Sequence, residues 1–464
     1  MIPILNRKGR PLYEQLYEFF RDAILEGRIQ HGDRLPSYRM LSRELQVGRN
    51  TVVRAYEQLT LEGYLVNENR KGLYAAKLDV RERHSELEFR KSRRGATKRT
   101  VNTPAERFNS AVHMVDENNF PVAQWRKCSN WALDNISFQY QEHESEDPLK
   151  TQLIPYLFHH RGVQAKPEQI IIGSGASVLV FWLAVILRKT CSEIMVEEPG
   201  YPRIQQVFSE CGYTIKALRV KKDGVDLDKL AGQTADLLYL TPSHQFPTGV
   251  SIPVQARLRI LHWARENNAY IIEDDFDCEF RHKAKLMPAL QGLDRDDRVI
   301  YLGSFSNSLM PSLRVAYLVL PKKFSVDYQS YAYLMDTVPY VIRKTLACFM
   351  EEGFWERHLR RMRKVYKNKY DRCVRALEEM PAELVHFNRA PSGLNIWLRI
   401  NAPLSETEVV ERAAAQGVHV TAGSYYYRSR SNSKRRPEVL FEFGSLPEDQ
   451  IEDVVRKLGL AWSV

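Results

Sequence analysis

The feature that most constrains the fold of this 464-residue chain is a series of short apolar runs separated by segments with helical spacing. This alternation begins after Pro121 and is typical of an α/β domain with a mainly parallel sheet. The runs predicted as strands are 170–172, 194–196, 237–240, 270–273, 299–302 and 315–320. Ligands in such sheets bind outside the carboxyl ends of the strands, so the residues that follow the runs are expected to meet in one pocket.

A distinctive group of residues follows most of the predicted strands. The groups are 173–177, 198–203, 241–249, 273–277 and 303–314. A single glycine-rich turn or acidic strand end is weak evidence for a site, because both are common in proteins. Five such groups in this order are strong evidence for one ligand pocket.

The first eighty residues have a different pattern, with three short amphipathic helices. Apolar residues recur at helical spacing over 12–26, Ser37 can cap a second helix, and Val47-Gly48 makes the turn into a third. The exposed start of that third helix carries Arg49, Asn50, Thr51 and Arg54. Two short strands, 63–66 and 72–74, follow as a hairpin. This is the pattern of a winged helix-turn-helix domain, in which the second helix of the motif meets the DNA major groove.

The length exceeds what one hydrophobic core usually supports, so several domains are expected. We predict a winged-helix domain over residues 1–78, a charged linker over 79–115 and an α/β domain over 116–464. Within the last of these, an α+β small subdomain is expected from about residue 325. The net charge of +10 favours a polyanionic partner.

No apolar run reaches the length of a membrane span, and the N-terminus lacks the hydrophobic region of a signal peptide. A cytoplasmic protein without membrane contact is therefore expected. The six cysteines include no C-x-x-C pair, which argues against a disulfide framework or a thiolate zinc site. Alternating acids at Glu273, Asp275, Asp277 and Glu279 allow a divalent-cation site as one interpretation. Solvation or pairing with arginine and lysine is the favoured interpretation, and no metal is predicted.

The N-terminal segment resembles the winged-helix domain of the GntR family of bacterial regulators. The resemblance runs from Pro11-Leu12-Tyr13 through Gly32-Asp33-Arg34-Leu35-Pro36-Ser37 to Glu62-Gly63-Tyr64. It implies double-stranded operator DNA as the partner, with basic side chains divided between phosphates and base edges. The implied DNA contacts are Arg34, Ser37, Arg39, Arg49, Asn50, Thr51, Arg54, Arg70, Lys71 and Gly72. A winged helix used for protein contacts is the alternative.

The five groups together with the winged helix resemble the MocR or GabR-like subfamily of GntR regulators. These proteins fuse a DNA-binding domain to a fold type I aminotransferase-like domain, whose cofactor is pyridoxal 5'-phosphate. The resemblance implies that Gly175, Ala176, Ser177 and Arg314 hold the cofactor phosphate, that Tyr201 stacks near its ring, and that Asp274 pairs with its nitrogen. Phe276, Ser304 and Asn307 complete the implied cofactor-binding set.

The departures from the family pattern lie on the reactive side of the implied cofactor. Asn307 stands where the family has the Schiff-base lysine, and its amide nitrogen cannot form that bond. Phe276 stands where the family has a tyrosine. We therefore predict non-covalent or absent pyridoxal phosphate, no catalytic residues and no enzymatic activity. An engineered change at position 307 is the alternative to natural loss.

The resemblance implies a transcription regulator that senses a small-molecule effector, an amine or an amino acid, and forms a head-to-tail homodimer. Arg203 and His244 are the implied effector contacts. Two other functions remain open. One is a regulator that has lost pyridoxal phosphate and senses another metabolite, and the other is an active aminotransferase with an accessory DNA-binding domain.

Overall fold

The computed structural model describes residues 5, 10–68, 72–76, 115–135, 147–282, 287–329, 331, 337–390, 392–428 and 436–463. The chain divides into two compact units, Met1–Thr103 and Pro104–Val464, which are described separately. The predicted linker 79–115 lies outside the described residues except for Val115.

The first unit has three helices and a two-stranded antiparallel hairpin. Its elements are α1 Leu12–Leu25, α2 Tyr38–Leu45, α3 Arg49–Leu61, β1 Leu65–Glu68 and β2 Gly72–Ala75. The apolar positions predicted to face inward do so, since Leu16, Leu41, Val52 and Leu59 are all fully buried in one cluster. The predicted winged helix is confirmed.

The second unit is built on an eight-stranded sheet in the order β3-β10-β9-β8-β7-β4-β5-β6. Its strands are β3 Ile170–Gly173, β4 Glu193–Glu198, β5 Thr214–Lys221, β6 Gly224–Val225, β7 Leu237–Leu240, β8 Tyr270–Asp274, β9 Val299–Ser304 and β10 Ala316–Val319. The central pairs are parallel, β10 runs antiparallel to both of its neighbours, and β6 runs antiparallel to β5. The predicted mainly parallel sheet is confirmed.

Helices cover both faces of this sheet. They are α4 Val122–Asp134, α5 Pro148–Arg161, α6 Ala176–Leu187, α7 Pro202–Glu210, α8 Leu227–Ala231, α9 Val254–Glu266, α10 Leu290–Leu293, α11 Lys322–Gln329 and α12 Tyr340–Glu351. In β8 the adjacent residues Ile271 and Ile272 are both fully buried but belong to different hydrophobic clusters. Successive strand residues point to opposite faces, so burial on both faces explains why these strands are continuous apolar runs.

The six predicted strands correspond to β3, β4, β7, β8, β9 and β10. The sequence analysis missed β5, because Thr214–Lys221 has several exposed residues and no apolar run. This strand lies near one edge of the sheet, where only the two-residue β6 covers it. A partly solvated strand of this kind lacks the apolar signal of a central parallel strand.

The C-terminal part contains a second, antiparallel sheet in the order β11-β12-β14-β13. Its strands are β11 Val385–Phe387, β12 Asn395–Ile400, β13 Thr421–Ala422 and β14 Glu438–Glu442, and its helices are α14 Glu406–Ala415 and α15 Ile451–Trp462. The predicted α+β character is confirmed. A subdomain boundary near residue 325 stays a prediction.

One long helix, α13 Phe354–Glu378, belongs to two hydrophobic cores. Its first half contributes Trp355 and Tyr366 to the core that contains β3 and α12 residues. Its second half contributes Cys373 and Leu377 to the core of the small sheet. The two sheets are therefore joined through a single continuous helix.

Among the described residues, no helix combines the length and apolar composition needed to cross a bilayer.

Candidate functional site

The carboxyl ends of the parallel strands place the predicted groups at one edge of the large sheet. Ala316, at the start of β10, is opposite both Gly173 at the end of β3 and Ser304 at the end of β9. Because β10 is antiparallel, Arg314, two residues before it in the chain, reaches the same edge. The sheet thus brings together the glycine-rich turn, the Asn307 segment and the arginine.

The N-terminus of α6 lies beside the guanidinium group of Arg314, an arrangement that we call the anion pocket. Gly175 has a φ of +88° and precedes α6 without any side-chain cap on that helix. A Cβ atom at Gly175 would lie 2.4 Å from Nη2 of Arg314, so only glycine lets the guanidinium approach the helix N-terminus this closely. Ala176 and Ser177 form the first turn of α6. Backbone N–H groups at a helix N-terminus next to a guanidinium bind phosphate well.

Asp274 ends β8 as a buried carboxyl with one strong partner. Tyr239, on the neighbouring strand β7, donates its hydroxyl proton to Oδ2 of Asp274. Burial raises the pKa of Asp274 to about 7, even though the Tyr239 hydrogen bond opposes this shift. A carboxyl group held in this way can accept a hydrogen bond from a protonated ring nitrogen.

Five aromatic side chains form a connected cluster beside this edge, which we call the aromatic wall: Tyr201, Phe246, Phe276, Trp397 and Tyr426. Phe246 is its centre, with ring centroids 5.7 Å from Tyr201, 5.6 Å from Phe276 and 5.4 Å from Tyr426. Trp397 packs on Tyr426 at 5.8 Å. These are edge-to-face contacts, which stabilise aromatic pairs. Tyr201 and Phe276 are only half-buried, so the wall has an accessible surface.

Asn307 lies in the turn after β9, half-buried at the same edge. Its Nδ2 donates to the carbonyl oxygen of Phe276 over 3.4 Å, which is long for a hydrogen bond. Ser304 shapes the turn, since its Oγ accepts from the backbone N–H of Ser306 at 3.1 Å. Among the described residues, this long hydrogen bond is the side-chain hydrogen bond that holds Asn307.

The two implied effector contacts lie in different environments. Arg203 is exposed in the first turn of α7. His244 is 2% exposed, and its Nδ1 lies 2.6 Å from Oδ2 of Asp277. A Cβ atom at Gly393 would lie 1.9 Å from Cε1 of His244, so the imidazole is covered by the segment that leads into β12. Of the two, Arg203 alone is exposed to solvent.

The four alternating acids each have partners within the protein. Glu273 accepts from the backbone N–H groups of Leu290 and Gln291 at 2.8 and 3.0 Å, and Asp277 pairs with His244. Oε1 of Glu279 accepts from the Tyr156 hydroxyl at 3.0 Å. Asp275 forms a buried ion pair with Arg161, 2.6 Å from Oδ2 to Nε. These contacts explain the acidic alternation without a cation.

The predicted DNA contacts in the first unit form a mostly exposed set. Arg34, Arg39, Arg49 and Asn50 are exposed, whereas Thr51 and Gly72 are half-buried. Ser37 caps α2 by accepting from the backbone N–H of Met40 at 3.3 Å. The guanidinium carbon of Arg54 lies 4.2 Å from the ring centroid of Tyr13. Arg70 and Lys71 lie outside the described residues.

Sequence reasoning missed several residues at the edge of the large sheet. Tyr239 was assigned only to a strand. A tyrosine hydroxyl in a fully buried apolar strand needs a hydrogen-bond partner, and this need could have identified it as a site residue. Thr241 and Glu197 form another missed pair, in which Thr241 donates from N and Oγ1 to Oε2 of Glu197 at 3.0 and 2.6 Å. Burial raises the pKa of Glu197 to about 7. Trp397 lies on β12 and Tyr426 in the short 3-10 helix Gly423–Tyr426 after β13, and no local signal marked them.

The fold and the site define a helix-turn-helix DNA-binding unit joined to a fold type I aminotransferase domain. The family described as bacterial regulatory proteins, gntR family, matches residues 12–74. The family described as aminotransferase class I and II matches residues 108–439. The first match lies within the first unit and the second match within the second unit.

Transcription regulators match this chain over most of its length. The uncharacterized HTH-type transcriptional regulator YdeL of Bacillus subtilis (strain 168) is 36% identical, with 100% of this chain and 99% of that protein covered. The probable rhizopine catabolism regulatory protein MocR of Rhizobium meliloti is 32% identical, with 88% and 86% covered. The chain therefore belongs to the MocR-type regulators of the gntR family, which carry an aminotransferase class I and II domain.

Solved structures agree with the fold. A multiple substrate aminotransferase from Thermococcus profundus superposes with a TM-score of 0.69 at 21% identity, covering 82% of this chain and 95% of that one. LysN, the α-aminoadipate aminotransferase of Thermus thermophilus, superposes with a TM-score of 0.67 at 26% identity, covering 76% and 91%. The second unit is thus a fold type I aminotransferase fold.

Proposed function

We propose that this protein is a transcription regulator whose aminotransferase-like unit senses a small molecule without covalent pyridoxal phosphate chemistry and without enzymatic turnover. The observation that carries the proposal is Asn307, an amide in the turn after β9 at the edge where the anion pocket and Asp274 lie. An amide nitrogen is delocalised into its carbonyl group and is not a nucleophile, so it cannot replace a catalytic amine.

Pyridoxal phosphate fits the remaining residues. Gly175 and Arg314 would hold its phosphate, and Asp274 would accept a hydrogen bond from its ring nitrogen. Tyr201 would lie against the ring, while Phe276 offers no hydroxyl group. When bound to an enzyme's amine, the cofactor supplies an electron sink for reactions of amines. In this chain we expect it to act as a non-covalent ligand.

A second candidate function is a regulator that has lost the cofactor and binds another metabolite. The aromatic wall favours it, because the half-buried Phe276 presents apolar surface next to Asn307. Mass spectrometry of small molecules released from the purified, denatured protein would separate the two candidates. Released pyridoxal phosphate supports the first, and a different metabolite supports the second.

The sensing signal has to reach the winged helices. We propose a head-to-tail homodimer in the cytoplasm in which one subunit's winged helix packs against the large domain of the other subunit. Effector binding would shift the population between two arrangements of the winged helices. The size of this shift is limited by the difference in effector affinity between the two arrangements.

We expect no covalent cofactor adduct at position 307 of the wild-type protein, because asparagine has no nucleophilic amine. Purified protein would be incubated with excess pyridoxal phosphate, reduced with borohydride, digested and mapped by mass spectrometry. The peptide that contains Asn307 should carry no adduct, while exposed lysines serve as an internal control for non-specific labelling. A stoichiometric adduct on that peptide would contradict the proposal.

We expect Arg49→Ala to weaken operator binding by about 1–3 kcal/mol if the side chain reads a guanine bidentately. Arg49 is exposed in the first turn of α3, whereas Arg54 also packs on Tyr13, so Arg49 is the cleaner test. An operator would be selected from random DNA with the wild-type protein and used in gel shifts. Arg412→Ala, an exposed site on α14, is the charge-matched control. Equal affinity and sequence preference in wild type and Arg49→Ala would rule out a base contact.

A further inference from the structure

The two faces of the small sheet have different environments. On one face, Ile396 and Phe441 pack into the core with α13, α14 and α15. On the other face, Trp397 and Leu440 belong to the same hydrophobic cluster as Phe246, which lies in the loop after β7. Trp397 is opposite Leu440 in the register, so residues two positions away on each strand share this second face. The small sheet therefore presents one side to the aromatic wall.

Asn395 and Glu442 are the next pair on that same side. They are directly opposite each other on β12 and β14, and each lies two residues along its strand from Trp397 or Leu440. Side chains of directly opposed residues are neighbours in an antiparallel pair. Asn395 also lies two residues after Gly393, which packs against His244 in the loop after β7. A carboxylate and an amide thus project together from the small sheet toward the aromatic wall.

Neither side chain has a partner among the residues that the structure describes. Asn395 is 1% exposed, and both its amide nitrogen and its amide oxygen lack a hydrogen bond. Glu442 is half-buried, and its carboxylate forms no ion pair within the described ranges. Burial raises the pKa of Glu442 to about 7. Buried polar groups in native proteins are nearly always hydrogen-bonded, so the Asn395 amide is available to hydrogen-bond a ligand that reaches the half-buried Glu442.

Glu438 is a carboxylate on the same strand whose partners lie within the protein. It lies four residues earlier on the same face of β14, 2.9 Å from Arg399 and 2.8 Å from the Tyr427 hydroxyl. Both partners belong to this chain, so the Glu438 carboxylate has a counterion and a hydrogen-bond donor within the protein. Glu442 is also a glutamate on β14, but it pairs with no cation among the described residues. Because the side chain is half-buried, its carboxylate is available to a ligand.

We infer that Glu442, Asn395 and the aromatic wall bind a small cationic amine, and that this amine is the effector. A carboxylate and an amide oxygen both accept hydrogen bonds, which an ammonium or guanidinium group donates. Aromatic faces attract cations and also contact an apolar carbon chain. A ligand recognised through a carboxylate of its own would instead be repelled by Glu442. The inference rests on the effector-sensing role proposed above and specifies the chemical class of the effector.

The first test measures binding of simple probes to the full-length protein by calorimetry. Butylamine and diaminopentane represent the cationic class, and butanoate and pentanedioate are their anionic counterparts. We expect an amine to bind more tightly than its anionic counterpart. Glu442→Gln should reduce amine affinity roughly tenfold to a hundredfold, since the charge-assisted hydrogen bond is lost. Glu411→Gln, an exposed change of equal charge on α14, should leave it unchanged.

A second variant tests the same site without lowering the stability of the fold. Asn395→Leu removes a buried amide that has no partner in the described structure, so thermal stability should be unchanged or higher. Amine affinity should nevertheless decrease, because the amide oxygen is lost. Failure of both amines to bind the wild-type protein, or equal amine affinity in wild type and both variants, would overturn the amine site.

A parallel measurement separates this inference from the proposed function. Fluorescence anisotropy of a labelled operator would be recorded with and without the bound amine. Amine binding that depends on Glu442 but leaves operator affinity unchanged would keep the amine site and contradict its role as effector site. An operator response to pentanedioate that Glu442→Gln leaves intact would support sensing and overturn the cationic class.

Discussion

Asn307→Lys is expected to convert this protein from one with no covalent cofactor into one that binds pyridoxal phosphate stoichiometrically through position 307. The anion pocket of Gly175 and Arg314 and the buried carboxyl of Asp274 remain in place to hold the phosphate and the ring nitrogen. Within the described part of the chain, the Asn307 side chain makes one long hydrogen bond, to the Phe276 carbonyl, so its replacement should disturb little. The change would be measured as a new absorbance band and as a borohydride-fixed adduct on the peptide that contains residue 307.

The matched control is Asn307→Arg, which adds a similar length and charge but no primary amine, and should stay without adduct. Turnover in Asn307→Lys should remain low, because Phe276 provides no hydroxyl group to stabilise charge on the cofactor. Adding Phe276→Tyr should increase transamination. A folded Asn307→Lys protein without adduct at saturating cofactor would show that the pocket has been rebuilt for another ligand.

The second large effect is expected for stability, in Arg161→Met. Arg161 is 2% exposed and ends α5. It holds Asp275 at 2.6 Å and donates to Ser243 Oγ at 2.7 Å and to the Met287 carbonyl at 2.9 Å. Methionine would leave Asp275 as a buried charge without its counterion. Breaking a buried pair in this way costs about 3–5 kcal/mol in the free energy of unfolding.

Denaturant titrations of the wild type, Arg161→Met and Arg259→Met would measure this loss. Arg259 is 53% exposed on α9, so its replacement should change stability by less than about 0.5 kcal/mol. An Arg161→Met protein as stable as Arg259→Met would show that the ion pair makes no net contribution to the free energy of unfolding.

The pH dependence of the Arg161→Met effect has a defined sign. Burial alone would raise the pKa of Asp275, but Arg161 and the Tyr301 hydroxyl leave it below the usual 3.8. The stability from the pair is therefore present above that value and is lost as the pH falls through the lowered pKa. Wild type and Arg161→Met should differ most near neutral pH and converge in acid.

The sequence predicted those parts of the molecule that depend on local signals. Central strands such as β8 are buried on both faces and appear as apolar runs. The glycine-rich turn at Gly175 follows a predicted strand and was assigned to the site through the family resemblance, and the structure shows that Arg314 approaches it closely. The pairs Tyr239–Asp274 and Asn395–Glu442 were not predicted. Their members are 35 and 47 residues apart in the chain, and they meet only through the strand pairing of the sheets, which no local sequence pattern specifies.

The helix α13 has a mechanical consequence for any signal that starts at the site. It is 25 residues long and contains neither glycine nor proline, so it has no internal hinge. At 1.5 Å per residue it is a rigid rod of roughly 37 Å, with one end fixed in each core. A tilt of about 5° at one end displaces the other by roughly 3 Å. A ligand too small to span the two sheets can thus move atoms far from those it touches.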